Sequence, residues 1–169
     1  MASSGQRFCA ILLMVVLCCG CSNSSGNAGN EAAVGFQVTT SYFVKNTYRG
    51  ETNPSYLVIR SSASFDSVFG VAAVANVDPA RLITEEKMKT GFVVSIIYQG
   101  NDIHTLAIDK IVLMDDQLQV HYTSEVTTPN ASWTCNCHVT ALIDKSNFST
   151  IRFFENGKPL PNAVVKELP

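Results

Sequence analysis

From Phe36 onward, apolar and polar residues alternate with the two-residue period of β-strands over most of the chain. Phe36, Val38, Tyr42 and Val44 share one parity and predict a first strand. Tyr56-Leu57-Val58-Ile59 predicts a short second one. The period then changes. In Ser61–Gly70, serines offer an N-cap, Phe65, Val68 and Phe69 recur at helical spacing, and Gly70 supplies a stop. Residues 71–83 predict irregular or briefly helical chain interrupted by Pro79, and Thr84-Glu85-Glu86-Lys87-Met88 opens a short turn of helix with acids at its positive end.

Further strands follow. Phe92–Tyr98 is almost continuously apolar, as expected of a central strand buried on both faces. Gly100-Asn101-Asp102 is a turn into a long strand over 103–114, whose parity slips between Ile108 and Ile111, placing a bulge near Asp109. Asp115-Asp116-Gln117 turns the chain into Leu118, Val120 and Tyr122. A strand from Trp133 to Ile143 and a last one over Ile151–Phe154 complete the set. Asn156-Gly157 is a turn signal, and the tail with Pro159, Pro161 and Pro169 is expected to lie along the surface. The expected fold is mainly β: an antiparallel sheet or sandwich with one or two short helices.

The start of the chain has a different character. Residues 1–7 are polar with one cation, Arg7, and Phe8–Leu17 is an uninterrupted apolar run. That run is shorter than the roughly 20 residues of a permanent span and fits the apolar region of a secretion leader. Leu17-Cys18-Cys19-Gly20-Cys21-Ser22 resembles a bacterial lipoprotein signal. The resemblance implies cleavage before Cys21 and attachment of lipid to its thiol, with Cys19 as the alternative position and ordinary cleavage as another. Ser22–Asn30 holds no apolar residue larger than alanine and is expected to be a flexible tether. The expected organisation is a leader over 1–20, a tether over 21–35 and one β-rich domain over 36–169. The remainder after the leader has the size of one ordinary domain and can bury a core unaided.

Charge excludes one class. The 169-residue chain carries a net charge of −2, with Lys and Arg scattered along it, so the concentrated basic footprint of a nucleic-acid binder is missing. Four of six cysteines fall in the leader region, leaving Cys135 and Cys137. Cys135-Asn136-Cys137-His138 offers thiolate and imidazole together, a combination that suits zinc or copper. On a strand, however, Trp133, Cys135, Cys137 and Val139 share one face while His138 points to the other. Buried core thiols are the favoured reading, with a strained disulfide and a metal site as alternatives. His104 and His121 stand alone in the sequence and predict half-exposed structural residues. Asp115-Asp116 fits turn chemistry, and no nucleophile elbow, phosphate loop or metalloprotease motif is present. No catalytic residue, metal or cofactor is expected. Tyr42, Phe43, Tyr48, Tyr98 and Trp133 are candidate binding aromatics, and exposed sheet edges are candidate peptide-binding sites.

Tyr56–Gly70, Phe92–Ile97 and Leu118-Gln119-Val120-His121-Tyr122 together resemble the PrcB C-terminal domain and related bacterial lipoproteins, over about residues 56–155. The resemblance implies a protease-associated or protein-binding role without an active site. The functional expectation is therefore a lipid-anchored, non-enzymatic protein of the bacterial envelope, in the outer membrane if the cell is Gram-negative, that contacts an envelope or extracellular protein, a protease among the candidates. The alternatives are a module binding a small molecule or glycan, and a hydrolase whose site is assembled from distant residues.

Overall fold

The computed structural model describes residues 31–72 and 79–169. The leader, Cys21 with its alternative Cys19, and most of the expected tether lie outside these residues. The described chain runs through β1 (Ala32–Ala33), β2 (Phe36–Thr39), β3 (Tyr42–Val44), β4 (Ser55–Ile59), α1 (Ser62–Val68) and β5 (Phe69–Val71). After a 3₁₀ turn at Pro79–Arg81 come α2 (Glu85–Thr90), β6 (Gly91–Gly100), β7 (Ile103–Met114) and β8 (Gln117–Thr128). The order ends with β9 (Cys135–Asp144), β10 (Thr150–Glu155), β11 (Lys158–Pro159) and β12 (Val165–Leu168).

Two sheets, each of five strands, account for most of this: β1-β7-β8-β10-β11, and β12-β4-β6-β9-β2. All pairings are antiparallel except β10 on β8 and β12 on β4. The sheets pack face to face. Phe92, Val94, Ile96 and Val139 of the second sheet meet Ile111, Leu118, Val120, Tyr122 and Phe153 of the first in one core. The other face of the second sheet is also covered. Val93 and Ile97 join Phe65 and Val68 of α1, Met88 of α2, and Tyr42, Val44 and Phe69 of a small β3-β5 ribbon in a second core. β6 is the middle strand of the middle layer, which explains its continuous apolar run.

One polar pair sits within that strand's second-core face. Ser95 and Thr140 are fully buried, their hydroxyls 2.9 Å apart, and Ser95 Oγ also donates to the Val139 carbonyl at 3.2 Å. They are cross-strand partners between β6 and β9, so each satisfies the other where water cannot reach.

Local signals act as expected at most turns and caps. Ser61 caps α1 through its side chain on the Ser64 amide, and Thr84 caps α2 on the Lys87 amide. The register between β7 and β8 jumps from Ile108 to Lys110, a bulge at Asp109. Asp115 and Asp116, at φ 47° and 64°, form a two-residue hairpin turn, as do Asn156 and Gly157 at 49° and 76°.

Four expectations are corrected. The first strand is two strands: after Thr39 the chain crosses over, so Phe36 and Val38 face the first core and Tyr42 and Val44 the second. Gly70 is no helix stop. α1 ends at Val68, and Gly70 lies in β5 beneath the Phe43 ring, where a Cβ would come within 2.6 Å of a ring carbon. Trp133 lies outside β9 in the preceding loop and is 61% exposed, beyond the last residue paired with β6. The tail adds a strand: β12 lies parallel to β4, and the Pro169 carbonyl accepts the Ser61 hydroxyl at 2.7 Å, tying the chain's end to the start of α1. The last residues of the expected tether are also paired, since β1 lies against Val112 and Leu113 of β7.

Replacing Ser95 with Ala strands the Thr140 hydroxyl in the second core, and about 1–3 kcal/mol of stability should be lost in urea unfolding. Adding Thr140→Val should recover much of that loss. A double variant no more stable than Ser95→Ala alone would contradict the pairing.

Candidate functional site

At one end of the sandwich, β6 finishes, β7 begins, β8 finishes and β9 begins. Register therefore brings together residues far apart in sequence: Tyr98 opposite Cys137, His104 opposite Val126, Leu106 opposite Ser124. The His104 ring stacks on the Tyr98 ring, centroids 4.1 Å apart and planes 25° apart. His104 Nδ1 lies 3.0 Å from Ser124 Oγ, and its backbone N–H donates to Cys137 Sγ at 3.3 Å. Cys137 Sγ in turn lies 3.3 Å from Cys135 Sγ, with both thiols free.

The network continues inward through phenols. Tyr98 donates to Glu155 Oε1 at 2.8 Å, and its hydroxyl is 3.4 Å from that of Tyr122. Tyr122 and Tyr56 hydroxyls are 3.0 Å apart, which carries a hydrogen-bonded link between the sheets. Outward, the stack opens on a cleft of about 260 Å³ lined by Asn53, Tyr98, Asn101, Asp102, His104 and Asn130. Its loops are tied by side chains: the Gln99 amide donates to Asn53 Oδ1, and the Asn130 amide to Asp102 Oδ1, both at 2.9 Å.

Burial sets the protonation of this site. It pushes the Tyr56 hydroxyl up to about 12, partly offset by the bond with Tyr122. Tyr98 is raised chiefly by burial as well. Tyr122 is raised further, by burial and then by hydrogen bonds with Tyr56 and Tyr98. The Cys135 thiol is pushed up to about 11 by burial, with the hydrogen bond and charge of Cys137 adding to it. Phenols and thiol are thus held protonated, the opposite of what a nucleophile or general base needs. His104 and Ser124 do form a base–hydroxyl pair. The network's carboxylate, Glu155, accepts from Tyr98 instead of orienting the imidazole.

The other sequence candidates lie elsewhere. His138 points away from the sulfurs into the second core, 5.5 Å from the Phe69 ring, and its burial lowers its pKa. His121 stacks on Phe154 at 4.3 Å, its pKa lowered by burial and then by the Lys110 charge. Among the described residues no three His, Cys, Asp or Glu side chains are grouped to hold a metal. Asp115 and Asp116 stay in their turn. Of the aromatics, Tyr42 is buried with its oxygen accepting the Ile83 amide at 2.8 Å, while Phe43 is 48% exposed over Gly70. Sequence reasoning missed Ser124, Glu155, Tyr56 and Tyr122 as members of one network. Strand parity places side chains on faces, but it does not say which strands of two sheets meet.

The same end carries an open strand edge. β8 pairs with β7 along its length, but β10 covers it only from Gln117 to Tyr122. Just beyond, Asn156 imitates a further strand residue: its backbone N–H donates to the Tyr122 carbonyl at 2.9 Å. Its side chain takes the Ser124 amide and donates to the Ser124 carbonyl, both at 3.1 Å. Tyr122 and Ser124 therefore turn their backbone groups to the β10 side. By the strand's two-residue period Val126 does too, past the last residue covering it. The Val126 side chain is 45% exposed.

Comparison with family models, with curated proteins and with solved structures finds no match for this chain.

With its pKa pushed up to about 11, Cys135 should be almost wholly thiol at neutral pH, with a thiolate fraction well below that of an unperturbed cysteine. Alkylation by iodoacetamide at pH 7, followed by mass spectrometry, should accordingly be slow beside a model thiol. Reaction at the model rate would show an accessible, ionised thiol and reopen a catalytic role.

Proposed function

We propose that the chain is an exported protein, lipid-anchored at Cys21 in a bacterial envelope, whose β domain binds an extended segment of another envelope or extracellular protein. The observation that carries the reading is the uncovered edge of β8 at Val126. An unpaired strand edge presents backbone donors and acceptors that an incoming peptide strand can satisfy, and native proteins otherwise blunt such edges. Its position agrees with an anchor. β1 enters the fold beside Leu113, and nine residue steps along β7 lead from Leu113 to His104, opposite Val126. At the rise of a strand this puts the edge about 30 Å from where the tether joins, facing away from the attachment point. The similarity to PrcB C-terminal domains adds a protease, or a protein acting with one, as the kind of partner. Outer-membrane attachment follows for a Gram-negative cell.

A second reading is favoured by the cleft: its amide side chains and the Tyr98–His104 stack suit a small polar ligand or glycan. The His104–Ser124 pair gives the hydrolase alternative its one foothold.

Val126→Pro separates these readings. The Val126 N–H is directed to the open side, so proline removes an edge donor without breaking the ladder to β7. Photo-crosslinking from position 125 in intact cells should trap a protein with the parent chain and lose at least tenfold with Val126→Pro, at unchanged folding by circular dichroism. Equal trapping would refute edge binding, and activity abolished by Ser124→Ala would establish the hydrolase instead. Cys21→Ala should move the protein from the detergent phase to the aqueous phase. Unchanged partitioning would refute the lipid anchor.

A further inference from the structure

The opposite end of the sandwich holds a cleft of about 480 Å³ to which three separate elements contribute cations: Arg60 after β4, Lys89 of α2 and Lys145 after β9. Asp116 is the one acid on its wall. In a chain of net charge −2 this is a local inversion of sign. Backbone hydrogen bonds fix where two of these cations leave the chain. The Arg60 amide donates to the Leu168 carbonyl at 2.8 Å, and the Lys145 amide to the Thr90 carbonyl at 2.9 Å, which brings the β9 exit against the end of α2. The Arg60 guanidinium lies 5.5 Å from the Phe92 ring and 5.6 Å from the Phe148 ring, and the two rings are themselves 5.4 Å apart. Cation–π contact with both rings holds the guanidinium beside the cleft.

Existing ion pairs do not use up this charge. Arg60 meets Glu167 at 3.4 Å through Nε alone, and Lys89 meets Glu86 at 2.7 Å, with all four side chains substantially exposed. Lys145 has no ion pair among the described residues. A guanidinium and two ammonium groups beside aromatic walls match a phosphate group on an organic body.

We propose that this cleft binds the phosphate of an anionic headgroup, and that the source is the membrane lipid on which the protein sits. The cleft includes the Asp116 turn, next to the point where β1 pairs with Leu113, so it lies at the end of the fold where the tether joins. Ten residues from Cys21 to Glu31 span at most about 35 Å, which keeps this end within reach of the surface. Basic side chains there gain from the negative potential of anionic lipid. The phosphate chemistry stands on the cleft alone, and the lipid source rests on the anchored reading.

The test uses the full chain and two probes. Glycerol 3-phosphate should raise the melting temperature of the parent. Its affinity should fall severalfold in Lys89→Glu and at least tenfold in Lys89→Glu/Lys145→Glu. Sedimentation with phosphatidylglycerol vesicles, against phosphatidylcholine vesicles, should show a headgroup preference at least tenfold larger for the parent than for the charge-reversed variant. Both chains carry the same N-terminus, so its own affinity for vesicles cancels. A glycerol 3-phosphate response absent from the parent, or undiminished in the variants, would overturn the site. Equal competition by an acetylated dipeptide carboxylate would overturn the phosphate assignment. Phosphate binding with the vesicle preference unchanged by charge reversal would overturn the lipid source. Repeating the glycerol 3-phosphate titration with Cys21→Ala keeps the site's outcome separate from that of the anchor.

Discussion

Everything in this fold leans on β6 being covered twice. A strand whose two faces both lie in apolar cores needs every backbone group paired within its sheet, and β6 has a neighbour on each side, β4 and β9, to supply that. Alternate residues then serve different layers: Phe92, Val94 and Ile96 fill the space between the sheets, while Val93 and Ile97 hold the helices and the small ribbon. The one hydrophilic interruption, Ser95, is tolerated because Thr140 stands opposite it. With its centre so constrained, the molecule has little freedom except at the two ends of the sandwich. The two polar sites occupy those ends.

The ends differ in kind. Where β6 passes into β7, burial keeps three phenols and the Cys135 thiol protonated, so these groups offer hydrogen bonds and ring faces instead of charge. Beside it β8 outruns its neighbour β10, and Asn156 closes the gap only as far as Ser124. At the other end cations gather around the tilted Phe92–Phe148 ring pair, on the side of the fold where β1 meets β7. An edge-bearing end and a cationic end separated by the length of β7 suit a protein held at one end and presenting the other.

Much of this architecture was legible in the sequence, wherever a local cause dominates. The apolar run of β6, the parity slip that marks the Asp109 bulge, the two hairpin turns with left-handed residues and the Ser61 cap each need only a few neighbouring residues to be specified. What escaped depends on partners distant in sequence. The crossover after Thr39 follows from which core each half of the strand meets, and the seat of Gly70 under Phe43 from a pairing of β3 with β5. The tail becomes a strand because β4 offers it a free side. Cys135 and Cys137 were placed correctly on a face away from His138. That His104 meets them follows from β7 packing back over β9, which no pattern within either strand encodes.

Native-state hydrogen exchange, read residue by residue, addresses the central claim most directly. The account predicts that the Ile96 amide, in the twice-covered strand, exchanges only through global unfolding, whereas the Val126 amide exchanges orders of magnitude faster than its protected neighbours in β8. A Val126 amide as slow as that of Ile96 would mean that the edge is already covered, and would contradict it.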